Sequence, residues 1–244
     1  AIAALAKGVE EGLRYQTLLG VTGSGKTLAA FLWAIDALMG EKARVAEAGE
    51  NWFRGVRLLY VSPLKALGAD VDRNLQGPLS AISELAAVES ARRGAKAPEI
   101  RTAMRTGDTP ADERRKIARN PPDILITTPE SLYLMLTSAA REALRTVETV
   151  IVDEVHALAG DKRGAHLSLS LERLDDLLEA PAQRIGLSAT VRPRDEIARF
   201  LGGPHPVRVV ASEGRPDMDV RVRVPVRDMT AIPAFPGARR SLMA

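Results

Sequence analysis

The sequence predicts an α/β fold in which a mostly parallel β-sheet lies between layers of helices. Three observations carry this. Short apolar runs rich in Val, Ile and Leu alternate with longer helical patterns along the chain, the order that builds a sheet covered on both faces. A glycine-rich loop ending in Lys26 and Thr27 separates a strand pattern from a helix pattern. The β-branched run Val150 to Val152 leads into two adjacent acids, and ligands of open α/β sheets collect at the C-terminal ends of such buried strands.

The first strand is expected at 15–20 (YQTLLG), followed by a helix at 27–39 whose Leu28, Phe31, Leu32, Ile35 and Leu38 recur at helical spacing and would fix it to the sheet. Residues 41–55 and 88–98 are polar and glycine-bearing, as loops are. Strands are expected at 56–62 (VRLLYVS) and 99–104 (EIRTAM), then a helix at 111–119 and a strand at 123–128 (DILITT). The helix at 130–137 opens with Thr-Pro-Glu, a helix-start signal. The strand at 149–154 (TVIVDE), a helix at 166–179, a strand at 183–188 (QRIGLS), a helix at 194–201 opening with Arg-Pro-Arg-Asp, and a strand at 207–211 (VRVVA) complete the pattern. Beyond about residue 212, Val220, Val222, Val224 and Val226 alternate with Arg221, Arg223 and Arg227 as in a half-exposed strand, and Pro225 makes that segment an edge strand or a linker. The expected division is one domain over 1–211 and a separate segment over 212–244.

With 244 residues, 45% hydrophobic and 27% charged, the composition is that of a globular protein with a substantial core. No apolar run approaches the roughly 18 residues that span a bilayer, and the N-terminus shows no basic-then-apolar leader. A cytoplasmic protein with no membrane partner is therefore expected. Cysteine is absent, which excludes disulfides and thiolate metal sites, and His156, His166 and His205 are too scattered for a zinc cluster. Any metal would be a hard, oxygen-bound ion. The 34 basic against 31 acidic residues give a net charge of +3, which permits a nucleic-acid partner without singling one out.

Gly20, Gly25, Lys26 and Thr27 fit G-x-x-x-x-G-K-[ST] between a strand and a helix, the context that a phosphate-binding loop requires. Backbone N–H groups from Thr22, Gly23, Ser24 and Gly25 would converge on phosphate oxygens, the helix N-terminus would add its dipole, and Lys26 a mobile positive charge. The Thr27 hydroxyl would hold Mg²⁺. A chance glycine-rich turn is the alternative, and the motif alone leaves kinases, motor ATPases, GTPases and helicases open. At the strand tip, Asp153 is expected to face the metal shell and Glu154 a water that attacks the γ-phosphate. The competing possibility is a pair of solvated acids joined to Lys162 or Arg163.

Together, "GSGKT", "SPLKALGADVDRN", "RTGDTP", "TTPESL", "DEVHAL" and "GLSAT" occur in the order of the superfamily 2 helicases of the DEAD/DEAH-box type. From Lys26 to about Val210 the chain resembles the first RecA-like domain of the large helicase-related (Lhr) family, notably at "RTGDTPADERRK" and "VIVDEVHALAGDKRGAHLSLSLERL". The resemblance implies a three-layer RecA-like P-loop NTPase domain that uses ATP and Mg²⁺. It implies Lys26 and Thr27 on the phosphates and Mg²⁺, Asp153 on the metal and Glu154 as catalytic base. His156, Ser188 and Thr190 would couple the ATP state to strand movement. Pro63, Lys65, Gly107, Asp108, Thr128, Pro129 and Glu130 match segments that line a single-stranded nucleic-acid track, to which Lys65 and Arg73 can add charge attraction. Aromatic content of 4% argues against a base-stacking platform and for backbone tracking. The resemblance also implies DNA rather than RNA, a role in DNA repair, and closure by a second RecA-like domain whose arginine completes the site. Residues 212–244 then read as a linker or a truncated start of that domain. Such an arginine is worth about 10³–10⁵ in rate, so the chain alone is expected to hydrolyse ATP weakly. A non-catalytic nucleotide- and nucleic-acid-binding module is the alternative from another class, and a small-molecule kinase a third. Residues 1–27 instead resemble the start of the UvrB family of excision-repair helicase subunits.

Overall fold

The computed structural model describes residues 2–11, 13–19, 25–92, 97–189 and 193–211. Its seven strands are β1 (Tyr15–Leu19), β2 (Leu58–Val61), β3 (Thr102–Arg105), β4 (Ile124–Thr127), β5 (Thr149–Val152), β6 (Gln183–Ser188) and β7 (Arg208–Ala211). They form one sheet in the order β3-β4-β2-β5-β6-β1-β7, every pairing parallel. The helices are α1 (Ile2–Glu10), α2 (Lys26–Glu47), α3 (Lys65–Arg92), α4 (Ala111–Arg119), α5 (Pro129–Leu136), α6 (Val155–Leu158), α7 (Lys162–Leu177) and α8 (Arg194–Gly202), with a 3₁₀ turn at Ala139–Leu144. Contacts group Ala1–Ser212 into one compact unit, and the other, Glu213–Ala244, lies outside the described residues.

Period-2 alternation along the strands sends side chains to two separate cores. Leu58, Tyr60, Ile124, Ile126, Ile151, Ile185 and Leu187 pack with Phe31, Ala34, Ile35 and Leu38 of α2 and Leu75 and Leu79 of α3. Leu59, Val61, Leu125, Val150 and Val152 pack with the helices from α4 to α8 on the opposite face. Each such side chain contributes about 1.5–3 kcal/mol by leaving water, and burial on both faces is why these strands read as apolar runs. The three-layer architecture expected from the sequence is the one observed.

Several boundaries differ from expectation. Helix α2 continues to Glu47 rather than stopping at 39, because its polar continuation consists mainly of strong helix formers and is anchored by Lys42 on the buried Asp123. Helix α3 occupies 28 residues and carries Pro78 inside it. Its buried positions are only Gly68, Leu75 and Leu79, too thin a stripe to stand out in the sequence, and it claims part of the expected 88–98 loop. Leu28 does not fix α2 to the sheet. It is 47% exposed at the rim of the cavity beside Gly25 and Lys26, and Ala30 and Ala34 take the inward positions. Helix α1 was not anticipated, and it inserts Leu5 into the α2 face of the core.

Polar clamps hold the opposite end of the sheet. Arg184, 2% exposed, pairs with Glu172 and Asp175 of α7 at 2.8 and 2.6 Å. The Asp123 carboxylate is shared by Lys42 at 2.7 Å, the Trp52 indole N–H at 3.1 Å and the Arg101 backbone N–H at 2.8 Å. Buried charges persist only when paired and hydrogen-bonded in this way.

Candidate active site

Gly25, Lys26 and Thr27 line a cavity of about 360 Å³ together with Asp153 and Glu154, Val71 and Asn74 of α3, and Phe31 of α2. The lysine-bearing turn after β1 and the acidic tip after β5 thus face one cleft at the C-terminal edge of the sheet. Thr22, Gly23 and Ser24 lie outside the described residues, as does Thr190. Gly25 caps α2 at φ 75°, ψ 14°, a left-handed conformation that a side chain would resist. The N-terminal end of α2, with its positive dipole, opens into the cavity.

Asp153 is 5% exposed, and both its oxygens are held: Oδ1 accepts the Glu154 backbone N–H at 2.9 Å, and Oδ2 accepts the Tyr60 hydroxyl. Tyr60 is fully buried, and burial first, then the Asp153 charge, pushes its hydroxyl pKa far above the ordinary tyrosine value, so it remains a donor. Its ring lies 5.0 Å from that of Phe31, linking the carboxylate to α2. Sequence reasoning missed Tyr60. The available signal was a tyrosine inside an otherwise aliphatic strand, since a buried hydroxyl must find a partner.

Glu154 adopts φ 46°, ψ 46°, and among the described residues it alone takes positive φ without being glycine. Such strain costs about 1–3 kcal/mol and is retained where a site needs the resulting geometry. Glu154 Oε2 lies 3.2 Å from Nδ1 of His156. The same nitrogen lies 3.3 Å from the Ser188 hydroxyl and accepts the Ala189 N–H at 3.3 Å. A ring nitrogen donates or accepts according to tautomer, so Nδ1 can bond the Glu154 carboxylate as a donor or the Ala189 N–H as an acceptor, but not both, while the Ser188 hydroxyl can serve either tautomer.

The other predicted positions gather at the ends of β2, β4 and β3. Arg163 of α7 donates to the Pro63 carbonyl at 2.8 Å and to Glu130 at 2.6 Å, so one side chain ties the segments after β2 and β4. That bond holds the Glu130 carboxyl below its ordinary pKa. Arg163 therefore does not serve Asp153 or Glu154, the ion pair the sequence had left open. Thr128 caps α5, with Pro129 in its first turn. Lys65 pairs with Asp108, so part of its expected attraction for nucleic acid is met within the chain. Gly107 is exposed, and its carbonyl accepts from Arg114. Arg73 stands apart: it lies eight residues beyond Lys65 along α3, roughly 12 Å at the helical rise, and pairs with Asp70.

Residues 4–198 match the DEAD/DEAH box helicase family. The chain belongs to that family. The "Lhr helicase/uracil glycosylase" of Escherichia coli is 60% identical over 215 residues, covering 87% of this chain and 14% of that protein. The "ATP-dependent helicase Lhr-Core" of Methanothermobacter thermautotrophicus is 48% identical over 216 residues, covering 86% of this chain and 24% of that one. The structure of the Mycobacterium smegmatis helicase Lhr bound to ssDNA and AMP-PNP superposes with TM-score 0.76 at 55% identity, covering 96% of this chain and 28% of that chain. The chain thus spans about a quarter or less of these relatives.

In this DEAD/DEAH box helicase domain the cleft presents a lysine, a hydroxyl and two carboxylates to one volume. Thr27 and Asp153 supply hard oxygen donors of the kind that suit Mg²⁺, which is bound by few protein ligands and completes its shell with water and phosphate. Among the described residues no group of three or more His, Asp or Glu side chains forms a closed metal site, and no helix is long and apolar enough to cross a membrane.

Proposed function

We propose that the chain is the first RecA-like motor domain of an ATP-dependent helicase, occupying 1–211, with 212–244 as a linker or the start of the second motor domain. One observation carries this reading: Lys26, Thr27, Asp153 and Glu154 line the same cavity. Lys26 and the loop backbone, including Thr22, Gly23, Ser24 and Gly25, bind the phosphates of ATP. Thr27 and Asp153 hold Mg²⁺, which neutralises phosphate charge, and Glu154 orients the attacking water and accepts its proton. His156, by exchanging Nδ1 between Glu154 and the Ala189 N–H, transmits the nucleotide state, with Ser188 and Thr190 as its partners in coupling. Pro63, Lys65, Arg73, Gly107, Asp108, Thr128, Pro129 and Glu130 form the track for single-stranded nucleic acid, with DNA favoured by the ssDNA in the Mycobacterium complex. Hydrolysis at full rate needs an arginine from a second RecA-like domain closing over the cleft. DNA repair in the cytoplasm is the setting this gives.

The test is ATP turnover with and without single-stranded DNA. Turnover stimulated by DNA and abolished in Lys26→Ala and Glu154→Gln is the expected result. Nucleotide and DNA binding with no turnover, even when a second motor domain is supplied, would make the chain a non-catalytic binding module instead.

A further inference from the structure

One wall of the nucleotide cavity carries a polar group that the proposed chemistry does not use. That wall is α3, whose Leu67, Val71, Asn74 and Leu75 follow helical spacing along a single face and line the cavity. Val71 and Leu75 belong to the core between α3 and the sheet. Asn74 does not: it is exposed, and among the described residues no hydrogen bond engages its amide. Pro78 sets the same turn apart. A proline has no N–H, so the Asn74 carbonyl, four residues earlier, lacks the partner that a regular helix would give it.

The sheet order decides which end of a bound nucleotide meets Asn74. Strand β5, with the acidic tip, lies between β2 and β6, whereas β1, with the lysine-bearing turn, lies beyond β6. Helix α3 follows β2. It therefore walls the cavity on the side of Asp153 and Glu154, where the reading above puts the terminal phosphate.

A triphosphate filling the cavity would cover the Asn74 amide and strip its water. A covered amide without a partner is costly, and the acids of the cavity are already engaged: Tyr60 and the Glu154 N–H hold Asp153, and Glu154 lies against His156. The acceptor that arrives with the ligand is a phosphate oxygen, and a carboxamide has two N–H donors to offer it. We infer that the Asn74 side chain donates a hydrogen bond to the terminal phosphate of ATP, an assignment that rests on the ATPase reading of this cavity. This domain then distinguishes ATP from ADP by itself, before any second motor domain closes on the cleft.

The experiment compares the 244-residue chain with Asn74→Leu and Asn74→Asp, folding being verified by thermal melting. Affinities for AMP-PNP and for ADP, both with Mg²⁺, are read by displacement of a fluorescent ADP analogue. Asn74→Leu is expected to bind AMP-PNP roughly 10–100-fold more weakly, the range for a lost hydrogen bond to a charged group. Its ADP affinity should stay within about twofold of the wild type, as for an ordinary surface substitution. Asn74→Asp keeps the shape but sets a negative charge against the phosphate, so it should lose at least as much for AMP-PNP and lose more there than for ADP. Wild-type affinity for AMP-PNP in either folded variant overturns the inference. An equal loss for the two nucleotides would place Asn74 against the part they share, or make its role structural, and overturns it too. If Asn74→Leu does not fold, Asn74→Asp decides by the same two criteria. Failure of the wild type to bind either nucleotide would instead remove the ATPase reading on which the inference rests.

Discussion

The Tyr60 hydroxyl donates to Oδ2 of Asp153 from the neighbouring strand, while the backbone N–H of Glu154 holds Oδ1. The carboxylate is therefore oriented before any ligand arrives, and the register that pairs Tyr60 with Ile151 sets that arrangement. Tyr60→Phe should leave a buried carboxylate oxygen without its donor, lowering stability by about 1–3 kcal/mol, measured by urea denaturation in metal-free buffer. Affinity for a fluorescent ATP analogue should fall more in Mg²⁺ than in EDTA. Equal losses in the two buffers would mean that Tyr60 does not act through the Asp153 carboxylate as the proposed metal ligand.

The left-handed backbone of Glu154 gives a second prediction. Glycine adopts φ near 46° without penalty, whereas alanine pays the same steric cost as glutamate, about 1–2 kcal/mol. Glu154→Gly should be more stable than Glu154→Ala by roughly 0.5–1 kcal/mol once the greater freedom of glycine in the unfolded chain is subtracted. Both variants lack the carboxylate, so the difference isolates the strain, and neither should turn over ATP. Thermal unfolding of the pair provides the comparison.

Glu130 and Arg163 carry a pH dependence whose sign is fixed. Arg163 holds the Glu130 carboxyl below its ordinary value, so the bond contributes fully above the unfolded pKa near 4.5 and is lost as pH falls through the lower folded value. The pair is about half exposed, which limits its worth to about 1 kcal/mol or less. Arg163→Gln should narrow the stability gap between pH 7 and pH 3 by about that amount. It should also loosen the segment after β2, because Arg163 holds the Pro63 carbonyl as well. Urea midpoints at the two pH values test the first effect, and amide exchange at Leu64 and Lys65 the second.

What could be read beforehand, and what could not, divides along physical lines. Strands β2, β4 and β5 were legible because burial on both faces leaves nearly unbroken apolar runs, and the carboxylate pair because it ends one of them. Helix α3 was not, since three buried positions in 28 residues give almost no periodic signal and Pro78 argues against a helix. The role of Tyr60 depends on which side chain lies across the boundary to the neighbouring strand, information that spacing along the chain does not hold. Arg163 was noticed as a cation near the acids. Its partners proved to be Glu130 and Pro63, 33 and 100 residues away in the chain.

Gly164 shows how the acidic strand tip is tied to the helix that follows it. A Cβ there would stand 1.9 Å from the Leu158 carbonyl oxygen and 3.1 Å from the Phe200 ring. The first neighbour is backbone, so no rotamer change can relieve it. Gly164 also donates its N–H to Asp161 Oδ1 at 2.8 Å, the cap of α7. Gly164→Ala must therefore either break that cap or push α6 away from α7, and α6 begins immediately after Glu154. Overpacking of this kind costs about 1–3 kcal/mol, and displacement of α6 would shift His156 relative to Ser188. Gly160→Ala, in the same connection but facing open space, is the control and should change stability by less than about 0.5 kcal/mol. Urea denaturation should separate the two variants, and ATP turnover by the Gly164 variant should fall even at temperatures where it remains folded. Equal stability of the two would mean that the α6–α7 contact yields without cost.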